Sequence, residues 1–223
     1  MSEIVRPKPG FKCGPRGLLI LTKPDFFFFK KELSFPYHRS LFLSHICYGE
    51  TGALAGPALG APQAVILLEN LIAAGVKECL VYGWAGAIRE EVPLGQLFWI
   101  ETALSLEGTS KFYGPEGLYR PVLSPVFEKI IQDFGRASVV SVDALYRETT
   151  EFCQIYSPKV MLVDMEVSAL YAVASFRGIK ILALVGISDR IYPCQERISS
   201  QGMKNLRPRL LQIFGKFLGC PQP

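Results

Sequence analysis

Histidine is almost missing from this chain: of 223 residues only two, His38 and His45, carry an imidazole. A histidine base or a metal held by several imidazoles has little to draw on, so any acid–base chemistry must rest on carboxylates. Concentrated charge is missing too. The net charge of +4 is spread thinly, with Lys30 and Lys31 the only basic doublet and no basic stripe interleaved with aromatics. That speaks against nucleic acid as a partner. The six cysteines, at 13, 47, 79, 153, 194 and 220, show no metal-type or redox-type spacing and read as reduced thiols. The longest apolar runs are too short to span a bilayer, and no charged segment followed by an apolar core opens the sequence. The expectation is a soluble cytoplasmic protein without a membrane partner.

Neither an internal repeat nor a low-complexity linker interrupts the chain, and its length suits one α/β domain over residues 1–223. A Pro-, Lys- and Gly-rich start leads to a short strand at 17–21, and four phenylalanines follow at 26–29 as core or subunit-contact residues. Residues 41–48 and 52–56 read as a hairpin, and 56–62 as a Gly/Pro-rich loop. Val65, Ile66, Leu67, Leu71 and Ile72 recur with helical period before Gly75. Strands are expected at 79–83, 97–103 and 137–142, and a helix at 125–134. A last helix from about Ser199 carries Leu206, Leu210, Phe214 and Phe217 on one face, with Pro208 an irregularity. Strands alternating with helices imply a mixed, mainly parallel sheet with helices on both faces.

Residues 161–191, MLVDMEVSALYAVASFRGIKILALVGISDRI, are the most informative stretch. Met165, Ala169, Ala172, Val173 and Phe176 have the spacing of one buried helical face, and Gly178 closes the helix. The run IKILALVGI is too continuously aliphatic to be half exposed and reads as a central parallel strand that delivers Ser188 and Asp189. Ligand crevices of α/β sheets lie outside the carboxyl ends of the strands, where Asp164, Glu166 and Asp189 would gather. From the residues alone, Ser188 and Asp189 serve equally well as caps, and Glu166 or Asp164 as first-turn residues favoured by the helix dipole.

Three segments in this order and spacing resemble the purine and uridine phosphorylase superfamily, which also contains methylthioadenosine and adenosylhomocysteine nucleosidases. PALGAPQAVILLENLIAAGVKECLVYGWAGAI, at 57–88, is similar to the family's glycine loop, helix and strand with its Gly-x-x-Gly-Ala turn at Gly83. SVDALYRET, at 141–149, resembles a stretch beside the base pocket. VDMEVSAL and GISDR resemble the Met-Glu ribose motif and the Ser-Asp motif. The resemblance implies cleavage of an N-glycosidic bond in a homo-oligomer, with no cofactor and with phosphate as a possible co-substrate. It assigns Asp189 to the acid that meets the base nitrogen, with Ser188 beside it. Glu166 would hold the ribose hydroxyls over Met165, and Tyr146 or Leu145 would lie near the base face. Gly60, Gly83 and Trp84 would line the pocket.

Departures from the pattern concern the nucleophile. Val81 and Phe26 stand where arginines are expected, Trp84 where a small hydroxyl residue is expected, and Ala58 in place of a loop glycine. Arg39 matches, by spacing, the arginine that a neighbouring subunit donates to phosphate. A dianion needs several fixed donors before it leaves water. The expectation is therefore an enzyme acting on a small purine-type nucleoside, with water able to replace phosphate. Only Asp25 and Glu32 lie near the place where family nucleosidases carry a glutamate base. A nucleoside-binding protein that has lost turnover is the alternative.

Overall fold

From Arg16 the chain enters β1 (Arg16–Ile20) and turns at once into α1 (Lys23–Leu33), a helix that holds all four phenylalanines. Pro24 sits in its first turn, where a missing N–H costs nothing. Helical period then divides the run: Phe26 and Phe29 are buried, while Phe27 looks outward. The structure, a computed structural model, describes residues 3–219; Cys220 lies outside them.

An antiparallel meander follows, made of β2 (Tyr37–Leu41), β3 (Ser44–Gly49) and β4 (Gly52–Gly56). The expected hairpin is β3–β4. β2 is an added edge strand whose exposed side chains show no buried alternation to betray it. Next come α2 (Ala61–Ala74), β5 (Glu78–Ala87), β6 (Leu97–Ser105), β7 (Leu118–Tyr119), α3 (Pro125–Ile131) and β8 (Gly135–Ser141). The last part holds α4 (Thr150–Tyr156), β9 (Leu162–Asp164), α5 (Val167–Arg177), β10 (Lys180–Arg190), β11 (Glu196–Arg197), α6 (Ser200–Lys204) and α7 (Arg207–Leu218).

Parallel pairings join β4-β1-β5-β10 and β6-β8-β9, while antiparallel ones add β3, β2 and β11 and link β6 to β10 and β9 to β5. β5, β10, β6, β8 and β9 also close on one another in a ring. Side chains alternate across the sheet. Leu19, Val81 and Ala183 face α2 and α5, while Leu18, Leu80 and Leu182 face α1 and α7. Each fully buried leucine contributes about 1.5–3 kcal/mol, so this two-faced packing holds the layers together.

Three local expectations change. β5 continues through the glycine turn at 83–87, because β10 runs beside it and pairs Gly83 with Val185 and Ala87 with Arg190. The final helix is broken at Asn205 and Leu206, since the Pro208 ring cannot sit inside a continuous helix and instead occupies the first turn of α7. Phe176 and Ile66 are exposed rather than core, and α5 buries every residue from Val167 to Ala174.

Candidate active site

β5 has β10 along one edge for its whole length, but its other edge changes neighbour. β1 pairs with Glu78–Tyr82 and β9 with Gly86 and Ala87, which leaves residues 83–85 without a strand there. A crevice of about 600 Å³ opens at this gap, a size suited to a small-molecule ligand. Its wall combines the end of β1 (Leu21, Thr22), the loop after β4 (Pro57 to Leu59), Trp84 to Gly86, Leu145 and Glu148, Val163 to Glu166, and Ser188 with Asp189.

α2 and α5 pack against each other and are tied by the Glu69–Arg177 ion pair at 2.8 Å. Their N-terminal ends meet at the crevice. The Gly60 N–H, at the N-terminus of α2, donates to Glu166 Oε1 at 2.6 Å, and Glu166 itself sits at the N-cap position of α5. Gly60 has φ +83°, which a side chain would oppose, so a glycine is what lets this N–H aim at the carboxylate. Glu166 is 6% exposed. Burial, and then the Asp164 charge, push its carboxyl well above the usual range, against the Gly60 hydrogen bond.

Asp164 ends β9 and takes the capping part. It accepts the Ser141 hydroxyl at 2.5 Å and the N–H groups of Val167 at 2.8 Å and Glu166 at 3.2 Å. Behind it, Ser168 N–H donates to Ser141 and the Ser168 hydroxyl donates to the buried Glu107. Desolvation opposes ionisation of Glu107, but hydrogen bonds from Ser110, Thr109 and Ser168 outweigh it and hold its carboxyl below the usual range. Asp143 is a loop pin, accepting the Gly108 N–H at 2.8 Å.

On β10, Ser188 donates to Asp189 Oδ1 at 2.5 Å, and the Asp189 carboxylate lies against Gly86. Arg197 of β11 pairs opposite Asp189 and also lines the crevice. Trp84 lines it from β5 and packs against the α1–α7 face, its indole N–H donating to Asp25 Oδ2 at 2.8 Å. Asp25 is 1% exposed and also accepts from Thr22 at 2.6 Å and Arg207 at 2.9 Å.

Crevice-lining residues from the sequence reading are thus Met165, Glu166, Ser188, Asp189 and Trp84, with Gly60 bonded to Glu166. Others lie elsewhere. Tyr146 is 97% exposed, because the single turn at 145–147 directs Leu145 to the crevice instead. Gly83 backs onto Leu21, where a Cβ would come within 2.7 Å of its side chain. Arg39 stands on edge strand β2 over the Phe11 ring. Glu148 and Glu107 were not singled out. For Glu148 the only signal was its place three residues after Leu145; Glu107 gave none, since its partners come from β6, the following turn and α5.

The crevice of this α/β protein lies at the carboxyl ends of parallel strands, among carboxyl groups, where such sheets commonly take their ligands. A family model for the phosphorylase superfamily matches residues 20–207, and the chain belongs to that superfamily. A purine nucleoside phosphorylase of the DeoD type from Bacillus cereus is 26% identical over 163 residues, covering 69% of each chain. Among solved structures, uridine phosphorylase from Vibrio fischeri superposes with a TM-score of 0.77 at 20% identity, over 98% of this chain and 99% of that one. Purine nucleoside phosphorylase from Toxoplasma gondii, in complex with immucillin-H, gives 0.76 at 15% identity over 98% and 96%. The 5′-methylthioadenosine/S-adenosylhomocysteine nucleosidase from Helicobacter pylori gives 0.69 at 16% identity over 93% and 97%. These structural likenesses carry the fold. The family is one of enzymes.

Proposed function

We propose that the protein cleaves the N-glycosidic bond of a purine-type nucleoside and uses water where a phosphorylase uses phosphate. The observation that carries this reading is the buried Asp25 carboxylate bonded to Trp84 and Arg207. Where the resemblance expects donors for a phosphate dianion, this chain holds an anion of its own, and the neighbouring cation is already paired with it. A second anion brought beside it would be repelled in a medium that screens poorly.

Bond cleavage leaves positive charge on the sugar and negative charge on the base. Glu166, aimed by Gly60, holds the ribose hydroxyls over Met165. Asp189, with the Ser188 hydroxyl on one oxygen, meets the base nitrogen and supplies its proton, and Leu145 lies against the base face. The exposed Phe42, Leu43 and Leu59 side chains support a homo-oligomer, and the free thiols of Cys13, Cys47, Cys79, Cys153 and Cys194 support a cytoplasmic setting.

The test is incubation with adenosine, inosine, guanosine, methylthioadenosine and uridine in phosphate-free buffer, with assay for free base. Release from a purine nucleoside is expected. Measurable nucleoside binding without release would instead favour a binding protein that has lost turnover.

A further inference from the structure

Among the described crevice carboxyls, Glu148 has a part neither in capping α5 nor in the cleavage mechanism above. It follows the turn that carries Leu145 and lines the same crevice as Asp189 and Asp164. Among the described residues no hydrogen bond or ion pair engages its carboxylate, whereas Asp189 is bonded to Ser188, Asp164 to Ser141 and α5, and Glu166 to Gly60. An unpaired carboxyl at the leaving-group end of a cleft invites the question of which group there carries a proton.

We propose that Glu148 stores the proton the departing base needs and passes it on through Asp189. This rests on the cleavage reading above. Glu148 and Asp189 face one small cleft, where a carboxyl without a hydrogen-bond partner keeps a proton more readily than one that is already bonded. One Asp189 oxygen already accepts the Ser188 hydroxyl, whereas the Glu148 carboxyl has no such donor among the described residues. The proton therefore resides on Glu148, whose carboxyl is pushed up to about 7 by burial first and then by the charges of Asp189 and Asp164. Arg147 precedes it in the chain, and the Cys153 thiol on α4 senses its charge in return.

In the reaction the C1′–N bond breaks and its electron pair goes to the base. Glu148 gives its proton to the Asp189 carboxylate, which hands it on to the base nitrogen. Water's oxygen bonds to C1′, and the proton that water loses replaces the one Glu148 gave, through solvent that the half-exposed Glu148 reaches. Glu148 thus acts through Asp189 and sets the pH at which the acid is loaded.

The experiment is the pH profile of kcat for base release by wild type, Glu148→Gln, Glu148→Asp and Asp189→Asn. Wild-type kcat is expected to fall about tenfold per unit above about pH 7, as the stored proton is lost. Glu148→Gln should lower kcat roughly a hundredfold at about pH 6 and abolish that limb, and Glu148→Asp should restore it. Asp189→Asn should lower kcat throughout. A Glu148→Gln enzyme with the wild-type rate and limb overturns the proposal and leaves the cleavage reading standing. Absence of base release by wild type overturns that reading instead. Glu148 is then read from the protons exchanged when a purine nucleoside binds near pH 7, measured by calorimetry in two buffers, and a count unchanged in Glu148→Gln overturns its role as the proton store.

Discussion

The indole N–H of Trp84 donates to the buried carboxylate of Asp25 at 2.8 Å, joining the end of β5 to the first turn of α1. Arg207, from the start of α7, closes the cluster on the other carboxylate oxygen and lies over the Phe28 ring. Two residues that look unrelated in the sequence, Trp84 and Asp25, are halves of one contact.

Removing one member of this buried pair leaves the other's charge uncompensated. Asp25→Ala is expected to cost about 3–5 kcal/mol of stability, measured by urea denaturation. A loss below about 1 kcal/mol would show that Arg207 finds another partner.

Titration calorimetry of the protein with inorganic phosphate is expected to give no binding in the sub-millimolar range. Trp84→Ser alone should not change this, because the Asp25 carboxylate remains in place. Tight phosphate binding by wild type would contradict the role given to the cluster.

Glu166 has its carboxyl raised by burial and by Asp164. Below the ordinary carboxylate pKa, about 4.3, folded and unfolded chains both hold this proton and stability is full. As pH rises the unfolded chain releases it first, so stability declines until the folded group also ionises. Glu166→Gln is expected to match wild type at about pH 4 and to exceed it at alkaline pH by on the order of 1–3 kcal/mol. The same change should lower kcat/KM for nucleoside cleavage by about 3–10-fold, the worth of a hydrogen bond to the ribose. Equal urea midpoints for the two proteins at every pH would remove the buried-charge argument.

Asp164→Ala strips the cap from α5 and leaves the Val167 N–H and Ser141 hydroxyl without their acceptor. A loss of about 2–4 kcal/mol is expected, with Asp164→Asn costing less. Because Asp164 also raises Glu148, Asp164→Asn should move the alkaline limb of the rate profile to lower pH. A limb that stays in place would uncouple the two groups.

The segment 161–191 was legible because its two signals, helical period and a continuous aliphatic run, are local, and its carboxylates fall at strand ends where topology brings them together. What escaped was non-local. β2 has no buried face to pattern its residues, and Glu148 gains its meaning from Asp164 and Asp189, as Glu107 does in part from Ser168, all far away in sequence. The resemblance leaves Tyr146 and Leu145 both near the base face, but one residue along a tight turn decides which lines the crevice, and it is Leu145. By sequence Trp84 falls in a turn just after the strand, and its tie to Asp25 depends on the first turn of α1 reaching it across the fold.

The most direct test of water as nucleophile is the initial rate of base release from a purine nucleoside as phosphate is raised from zero. A rate already at its full value without phosphate, unchanged as phosphate is added and with free sugar as product, is predicted. A rate that starts at zero and rises to saturation with phosphate, yielding a sugar phosphate, would contradict it.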